Sequence, residues 1–153
     1  MFDRLRAWLE EAEGGSAGGR DELELAVAAL LIEIARVDDA LGDAERRLVA
    51  RLLERRFGLG PDDAAALERL AEQQSEESAQ LFGFARIVNS RLPRERRPEL
   101  IEMLWEVAYA DGVLDPLEDS LLRRIGGLID VSDRERGAAR LRVLVRLGIV
   151  EEE

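Results

Sequence analysis

The sequence contains no cysteine, no histidine and no lysine. Without cysteine or histidine the chain cannot form disulfides, thiolate or imidazole catalytic systems, or the zinc sites built from those side chains. Schiff-base chemistry is excluded as well, because all 22 basic residues are arginine. Any metal bound by this chain must therefore be held by oxygen, which favours a hard cation such as Ca²⁺, Mg²⁺ or Mn²⁺.

The sequence also lacks long hydrophobic runs and net positive charge. Its longest apolar run, residues 25–32, is too short to span a bilayer. The first 20 residues lack the apolar core and cleavage site of a signal peptide, so we expect a cytoplasmic protein. A net charge of −11 argues against nucleic acid as a partner, because binding to phosphates requires a positive surface.

A chain of 153 residues has the size of one domain. Residues 1–20 are predicted to form an N-terminal amphipathic helix over 2–12 followed by the glycine-rich linker "GGSAGG", and residues 21–150 to form the main domain. The apolar residues of the first helix recur at helical spacing: Phe2, Leu5, Trp8, Leu9 and Ala12. This helix either docks on the domain or makes a peripheral contact with a membrane or partner.

The main domain is predicted to be all-α, because no segment alternates as a strand does. Capping patterns mark helix starts where a capping residue precedes a glutamate by three positions: Asp21 with Glu24, Asp115 with Glu118, and Ser132 with Glu135. We expect a compact bundle of seven to eight helices, near residues 2–12, 21–38, 43–57, 61–73, 76–92, 97–111, 116–129 and 132–147.

An internal repeat aligns "LIEIARVDDALGDAERRL" (31–48) with "LWEVAYADGVLDPLEDSL" (104–121) without a gap, at a spacing of 73 residues. Seven aligned pairs are identical: Leu31 and Leu104, Glu33 and Glu106, Ala35 and Ala108, Asp38 and Asp111, Leu41 and Leu114, Glu45 and Glu118, Leu48 and Leu121. Each half is predicted to be a helix, an acidic turn and a second helix. The bundle is therefore expected to have approximate internal twofold symmetry.

The repeated acids differ in where helical geometry places them. At about 100° per residue, Asp38 and Asp111 fall on the apolar faces of their helices and are predicted to point towards the core. Glu33 and Glu106 fall on other faces and are predicted to be solvated. An aspartate at a helix C-terminus is disfavoured by the macrodipole, so each of the two aspartates needs a compensating partner.

Two interpretations of these aspartates remain open. Each can accept hydrogen bonds from backbone amides of the following turn, or it can coordinate a hard cation together with Asp43 or Asp115 and a turn carbonyl. Glu45 and Glu118 serve by default as capping residues. The candidate metal ligands, of which Asp38 and Asp111 are the strongest, are Asp38, Asp43, Glu45, Asp111, Asp115 and Glu118.

Three segments make the chain resemble the tellurite-resistance protein B (TerB) family, especially its stand-alone bacterial branch: "LLIEIARVDDALGDAE", "LFGFARIVN" and "LWEVAYADGVLDPLEDSLLRRIGGLIDVSD". The resemblance covers roughly residues 20–145. It implies an all-helical bundle with two related halves, clustered acids that bind divalent metal, and a place in stress-response or metal-sensing assemblies, sometimes near the membrane. Asp39 departs from the glycine expected there, whereas Gly112 keeps it.

These observations predict a cytoplasmic, metal-responsive binding or interaction module that performs no catalysis. A metal-independent protein-interaction scaffold, whose repeated acids are helix caps, is the alternative. A metal-dependent hydrolase is the weaker third interpretation, because acid-bearing helical enzymes usually add histidines. The expected partners are other proteins and a divalent cation, and a homodimer and a role in tellurite resistance are left open.

Overall fold

Residues 16–37, 41–77 and 81–149 are described by the computed structural model, with side chains described from residue 22 onwards in these ranges except for 76–77. This part of the chain folds into α-helices and one short 3-10 helix, Arg94–Arg96, without β-strand, which confirms the all-α prediction. The helices are α1 (Ser16–Ala35), α2 (Asp43–Phe57), α3 (Pro61–Glu77), α4 (Leu81–Arg91), α5 (Arg97–Ala108), α6 (Pro116–Leu128) and α7 (Asp133–Arg146).

The helix α1 lies at the centre of the bundle. Every residue from 26 to 32 is at most 3% exposed, and α1 packs against α2, α3, α4, α5 and α6. A helix that is apolar around its whole circumference must be surrounded by other elements. The longest apolar run of the sequence is therefore the core of the bundle.

The second central helix is α5, which packs against α1, α2, α6 and α7. Its Trp105 is 2% exposed, and the indole Nε1 donates a hydrogen bond of 3.1 Å to the carbonyl of Arg136 in α7. A buried tryptophan needs such a partner for its single donor. Trp105 thus fills the core and fixes α7 against α5.

The buried Arg97 at the start of α5 donates hydrogen bonds to three backbone carbonyls. Its guanidinium donates from Nε to the carbonyl of Leu92 at 3.2 Å, from Nη1 to Ile129 at 3.1 Å, and from Nη2 to Asn89 at 3.0 Å. These carbonyls lie at the C-terminal ends of α4 and α6, where the last carbonyls lack intrahelical donors and the helix dipole favours a cation. One side chain therefore caps two helices.

Two predicted helix starts are confirmed. Asp115 is the N-cap of α6 and Ser132 the N-cap of α7, and each forms a capping box with the glutamate three positions later. The prediction for Asp21 is wrong, because α1 begins at Ser16, inside the segment interpreted as a linker. Extending a helix that the core already holds costs only about 1 kcal/mol per glycine.

The predicted end of the sixth helix is also wrong. α5 ends at Ala108, three residues before the predicted end at 111, and Tyr109 occupies the C-cap position. The amphipathic helix predicted over residues 2–12 lies outside the described residues. Within the described ranges, none of the helices combines the length and the apolar character needed to cross a membrane.

Candidate functional site

Two interhelical turns carry the repeated acids. Residues 36–42 connect α1 to α2, and residues 109–115 connect α5 to α6. The preceding helices end at Ala35 and Ala108, and the following helices begin at Asp43 and Pro116, so both boundaries are 73 positions apart. This spacing is the one at which the acidic segments align. Asp38, with residues 39 and 40, lies outside the described residues.

In the second turn, Asp111 is exposed. Its Oδ1 accepts a hydrogen bond of 3.1 Å from the amide of Val113. Gly112 between them has a φ of +86°, a conformation that favours glycine. The prediction that Asp111 points towards the core is wrong, because a projection at 100° per residue holds only while the helix continues. The backbone-amide partner foreseen in the first interpretation is present.

Asp115 and Glu118 cap the start of α6. Asp115 Oδ1 accepts from the amide of Leu117 at 2.8 Å, and the amide of Asp115 donates to Glu118 Oε1 at 3.1 Å. Glu118 is only 8% exposed. The capping role predicted for Glu118 is therefore confirmed, and this carboxylate has its position fixed by the helix that it caps.

The start of α2 has a related geometry, although its N-cap residue has no capping side chain. Gly42 is the N-cap of α2, and a Cβ placed on it would lie 2.7 Å from Oε2 of Glu45. Glu45 thus folds back over the N-cap, as Glu118 does in the second half. Asp43 is directed elsewhere, because its Oδ1 accepts from Nη1 of Arg46 at 3.1 Å and its side chain is 82% exposed.

An acidic cleft of about 270 Å³ lies between the two halves. Its apolar wall includes Ala35 and Ala108, the matched ends of α1 and α5. Among the described residues its lining contains no arginine, and four of the six predicted ligands line it: Glu45, Asp111, Asp115 and Glu118. The cleft thus brings one acid of the first half to three of the second, whereas Asp43 does not line it.

The donor chemistry of the acidic cleft suits a hard cation, since its charged groups are all carboxylates. The spacing is less favourable. Among residues 22–37, 41–75 and 81–149, whose side chains are described, no three acidic side chains are placed where together they could hold a metal ion. Asp111, Asp115 and Glu118 already accept hydrogen bonds from backbone amides. In the described residues, these acids therefore act as caps and turn formers.

Glu106 is buried, so the prediction that it is solvated is wrong, whereas Glu33 is half-buried. Glu106 is 8% exposed and accepts from Nε of Arg146 at 3.0 Å and from Arg55 at 3.4 Å. Glu33 accepts from the hydroxyl of Ser75. Both glutamates link neighbouring helices, because Arg146 and Arg55 bind Glu106 and Ser75 binds Glu33.

Sequence reasoning missed a buried carboxyl group on α3. Glu68 is 3% exposed and follows Ala64 by four positions and precedes Ala71 by three, so it falls on the apolar stripe of α3. Its neighbour Glu72 accepts from Nε and Nη2 of Arg46 at 3.2 and 2.8 Å. The position of a glutamate in an apolar stripe was the signal that could have found it.

Fold and site define an all-helical bundle in which two helix–turn–helix units meet at an acidic cleft. A family model described as "Tellurite resistance protein TerB" matches residues 24–141, which is most of the chain. The chain therefore belongs to the TerB family, as its resemblance predicted. Comparison with curated proteins and with solved structures finds no match.

Proposed function

We propose that this TerB-family chain is a divalent-cation-responsive binding module that performs no catalysis. The acidic cleft carries the proposal, because Glu45 and Glu118, equivalent residues of the two halves, line it together with Asp111 and Asp115. Four carboxylates around one small cleft without an arginine in its described lining favour a cation. Asp38, the equivalent of Asp111, is the fifth proposed ligand.

Cation binding at the acidic cleft would compete with capping. Asp111 and Asp115 bind the amides of Val113 and Leu117, so a cation must draw their oxygens away from those amides or share them. Occupancy would then change the hydrogen bonds that end one helix and begin the next. This competition is the physical basis on which we propose that the module responds to the cation.

The response would be transmitted to a protein partner. Val113, at the edge of the acidic cleft, is 69% exposed, and Leu117 on the adjoining turn of α6 is 55% exposed. Exposed apolar side chains beside a functional cleft favour a contact with another protein. Both residues donate the amides that compete with the cation, so occupancy would shift this apolar surface.

Isothermal titration calorimetry with Ca²⁺, Mg²⁺ and Mn²⁺ tests the cation. We expect binding to the wild-type chain, at least a tenfold loss of affinity in Asp111→Asn and in Asp38→Asn, and wild-type affinity in Asp62→Asn. Asp62 is a matched control because it is exposed on α3 and does not line the acidic cleft. No heat, together with no chelator-dependent shift of Tm, would remove the cation from the proposal.

A metal-independent interaction scaffold is the second candidate, favoured by the backbone hydrogen bonds of Asp111, Asp115 and Glu118. For a scaffold, Asp111→Asn should cost up to about 1 kcal/mol of unfolding free energy in metal-free buffer. For a cation site, the same variant should lose binding and keep or gain stability, because repulsion among the carboxylates falls. The two measurements on one variant separate the candidates.

A further inference from the structure

Glu68 is a carboxyl group placed where an ionised carboxylate is unfavourable. It is 3% exposed, and among the described residues its Oε2 has no hydrogen-bond partner. Glu72, four positions later on α3, lies on the same face of the helix, where its carboxyl group can share a hydrogen bond with that of Glu68. Two carboxyl groups can share a hydrogen bond only when one of them carries a proton.

The surroundings of the pair determine which group holds the proton. Glu72 binds Arg46 of α2 and is further influenced by Arg36 of α1, so its pKa is lowered. Burial, and then the hydrogen bond with Glu72, raise the pKa of Glu68 to about 7, although Arg46 and Arg69 oppose the rise. The proton therefore resides on Glu68, which donates to the Glu72 carboxylate.

Arg46 links this pair to the start of α2. Its guanidinium binds Glu72 from Nε and Nη2 and Asp43 from Nη1. Glu72 and Asp43 lie on different helices, so this bridge holds the first turn of α2 against α3. On the α1 side, Arg36 donates to the carbonyl of Ser75 at 2.7 Å, and Ser75 in turn donates to Glu33.

We propose that Glu68 and Glu72 form a proton-responsive switch in the α2–α3 interface: while they share one proton, Arg46 holds the start of α2 against α3, and loss of that proton weakens this contact. After deprotonation two adjacent carboxylates compete for Arg46, and Glu68 has no donor at Oε2. Glu68 must then move towards water or draw Arg46 away from Asp43. The same turn of α2 carries Glu45 of the acidic cleft, yet the switch operates whether or not that cleft binds a cation.

Composition makes this switch detectable. The chain has no histidine and no cysteine, so ordinary side chains of this sequence titrate outside the range from about pH 5.5 to 8. In an unfolded chain Glu68 titrates near the usual value of about 4.3. Because the folded pKa is raised, the stabilising effect is complete below the unfolded pKa and is lost as the pH rises through about 7.

Equilibrium unfolding in urea between pH 5.5 and 8 tests the switch. A single proton changes the folding equilibrium constant by at most about tenfold per pH unit. With a folded pKa of about 7, we expect the wild-type constant to fall by about 30-fold over this range, mostly below pH 7. In Glu68→Gln the amide still donates to Glu72 but cannot titrate, so its profile should be flat. Glu95→Gln, a change at an exposed glutamate of the 3-10 helix, should keep the wild-type slope.

A flat wild-type profile, or a Glu68→Gln profile as steep as the wild-type one, would overturn the proposal. Carbon-13 NMR of the glutamate carboxyl carbons in the wild-type chain supplies a result that needs no variant to fold. One carboxyl resonance should titrate near pH 7, and titration of every glutamate below pH 5 would refute the switch.

Amide hydrogen exchange of Arg46, whose N–H donates to the carbonyl of Gly42 at 3.0 Å, measures the stability of the α2 contact. At pH 8 it should be faster in wild type than in Glu68→Gln, and equal rates would remove the link to α2.

Discussion

Replacing Arg97 with methionine removes the cap shared by α4 and α6 while keeping an unbranched side chain of similar length. Three hydrogen bonds are lost, to the carbonyls of Leu92, Ile129 and Asn89. Leu92 and Ile129 are buried, whereas Asn89 is exposed and water can replace its donor. The cost should therefore come mainly from two buried carbonyls.

The expected magnitude follows from those two groups. A buried acceptor left without a donor costs about 1–3 kcal/mol, so Arg97→Met should lower the unfolding free energy by about 2–6 kcal/mol. A domain of this kind has only about 5–15 kcal/mol in total. The variant should consequently show a large fall in Tm and in the urea midpoint, with no change in the sign of its pH dependence, since arginine stays charged throughout.

Urea unfolding of Arg97→Met beside Arg96→Met is the appropriate assay. Arg96 is exposed in the 3-10 helix one position earlier, so its replacement should stay within about 0.5 kcal/mol of wild type. A loss below about 1 kcal/mol for Arg97→Met, with an unchanged m-value, would contradict the interpretation that this guanidinium caps both helices.

Three further outcomes follow from local geometry. Gly112→Ala should destabilise the protein by about 1 kcal/mol, because the φ of +86° at this position is strained for any side chain. Gly127→Ala in α6 places its methyl group in open space and should stabilise the protein by up to about 1 kcal/mol. Thermal unfolding of both variants measures the difference, and equal effects would contradict the backbone argument. Ser132→Ala should cost about 0.5–2 kcal/mol by removing the N-cap of α7, and a neutral result in urea unfolding would show that the cap is replaced by water. Hydrogen bonds from the amide of Ser132, and then from its side chain, lower the pKa of Glu135. The stabilising effect of that carboxylate is therefore present above its unfolded pKa and is lost as the pH falls through the folded pKa. Ser132→Ala keeps the amide donor, so the acid limb of its stability profile should be reduced but still present, and an acid limb that disappears would refute the assignment to the amide.

The helical class and two of the three capped helix starts could be predicted because they depend on short-range chemistry. The Asp115 and Ser132 capping boxes are formed by residues three positions apart, so the pattern contains the whole interaction. The burial of residues 26–32 also follows from sequence, since a helical segment without charge has no polar face to present to water.

The orientation of the acids could not be predicted in the same way. A helical projection places Asp111 on the apolar face only if α5 continues to residue 111. The helix ends at Ala108, and the aspartate accepts a hydrogen bond from the amide of Val113 instead. The burial of Glu106 depends on Arg146, forty positions away. Such partners are brought together by the packing of α5 on α7, which periodicity within one helix does not contain.

The missing lysine bears on how this bundle satisfies its buried polar groups. Arg97 serves three carbonyls and Arg46 serves two carboxylates on different helices. A guanidinium presents five donors in a planar fork, whereas an ammonium is a compact point charge with three. Each junction therefore depends on geometry that lysine does not reproduce. Arginine at these positions binds several segments at once. It thereby fixes the positions of α4, α6 and the start of α2, which the non-directional apolar contacts of the core do not determine.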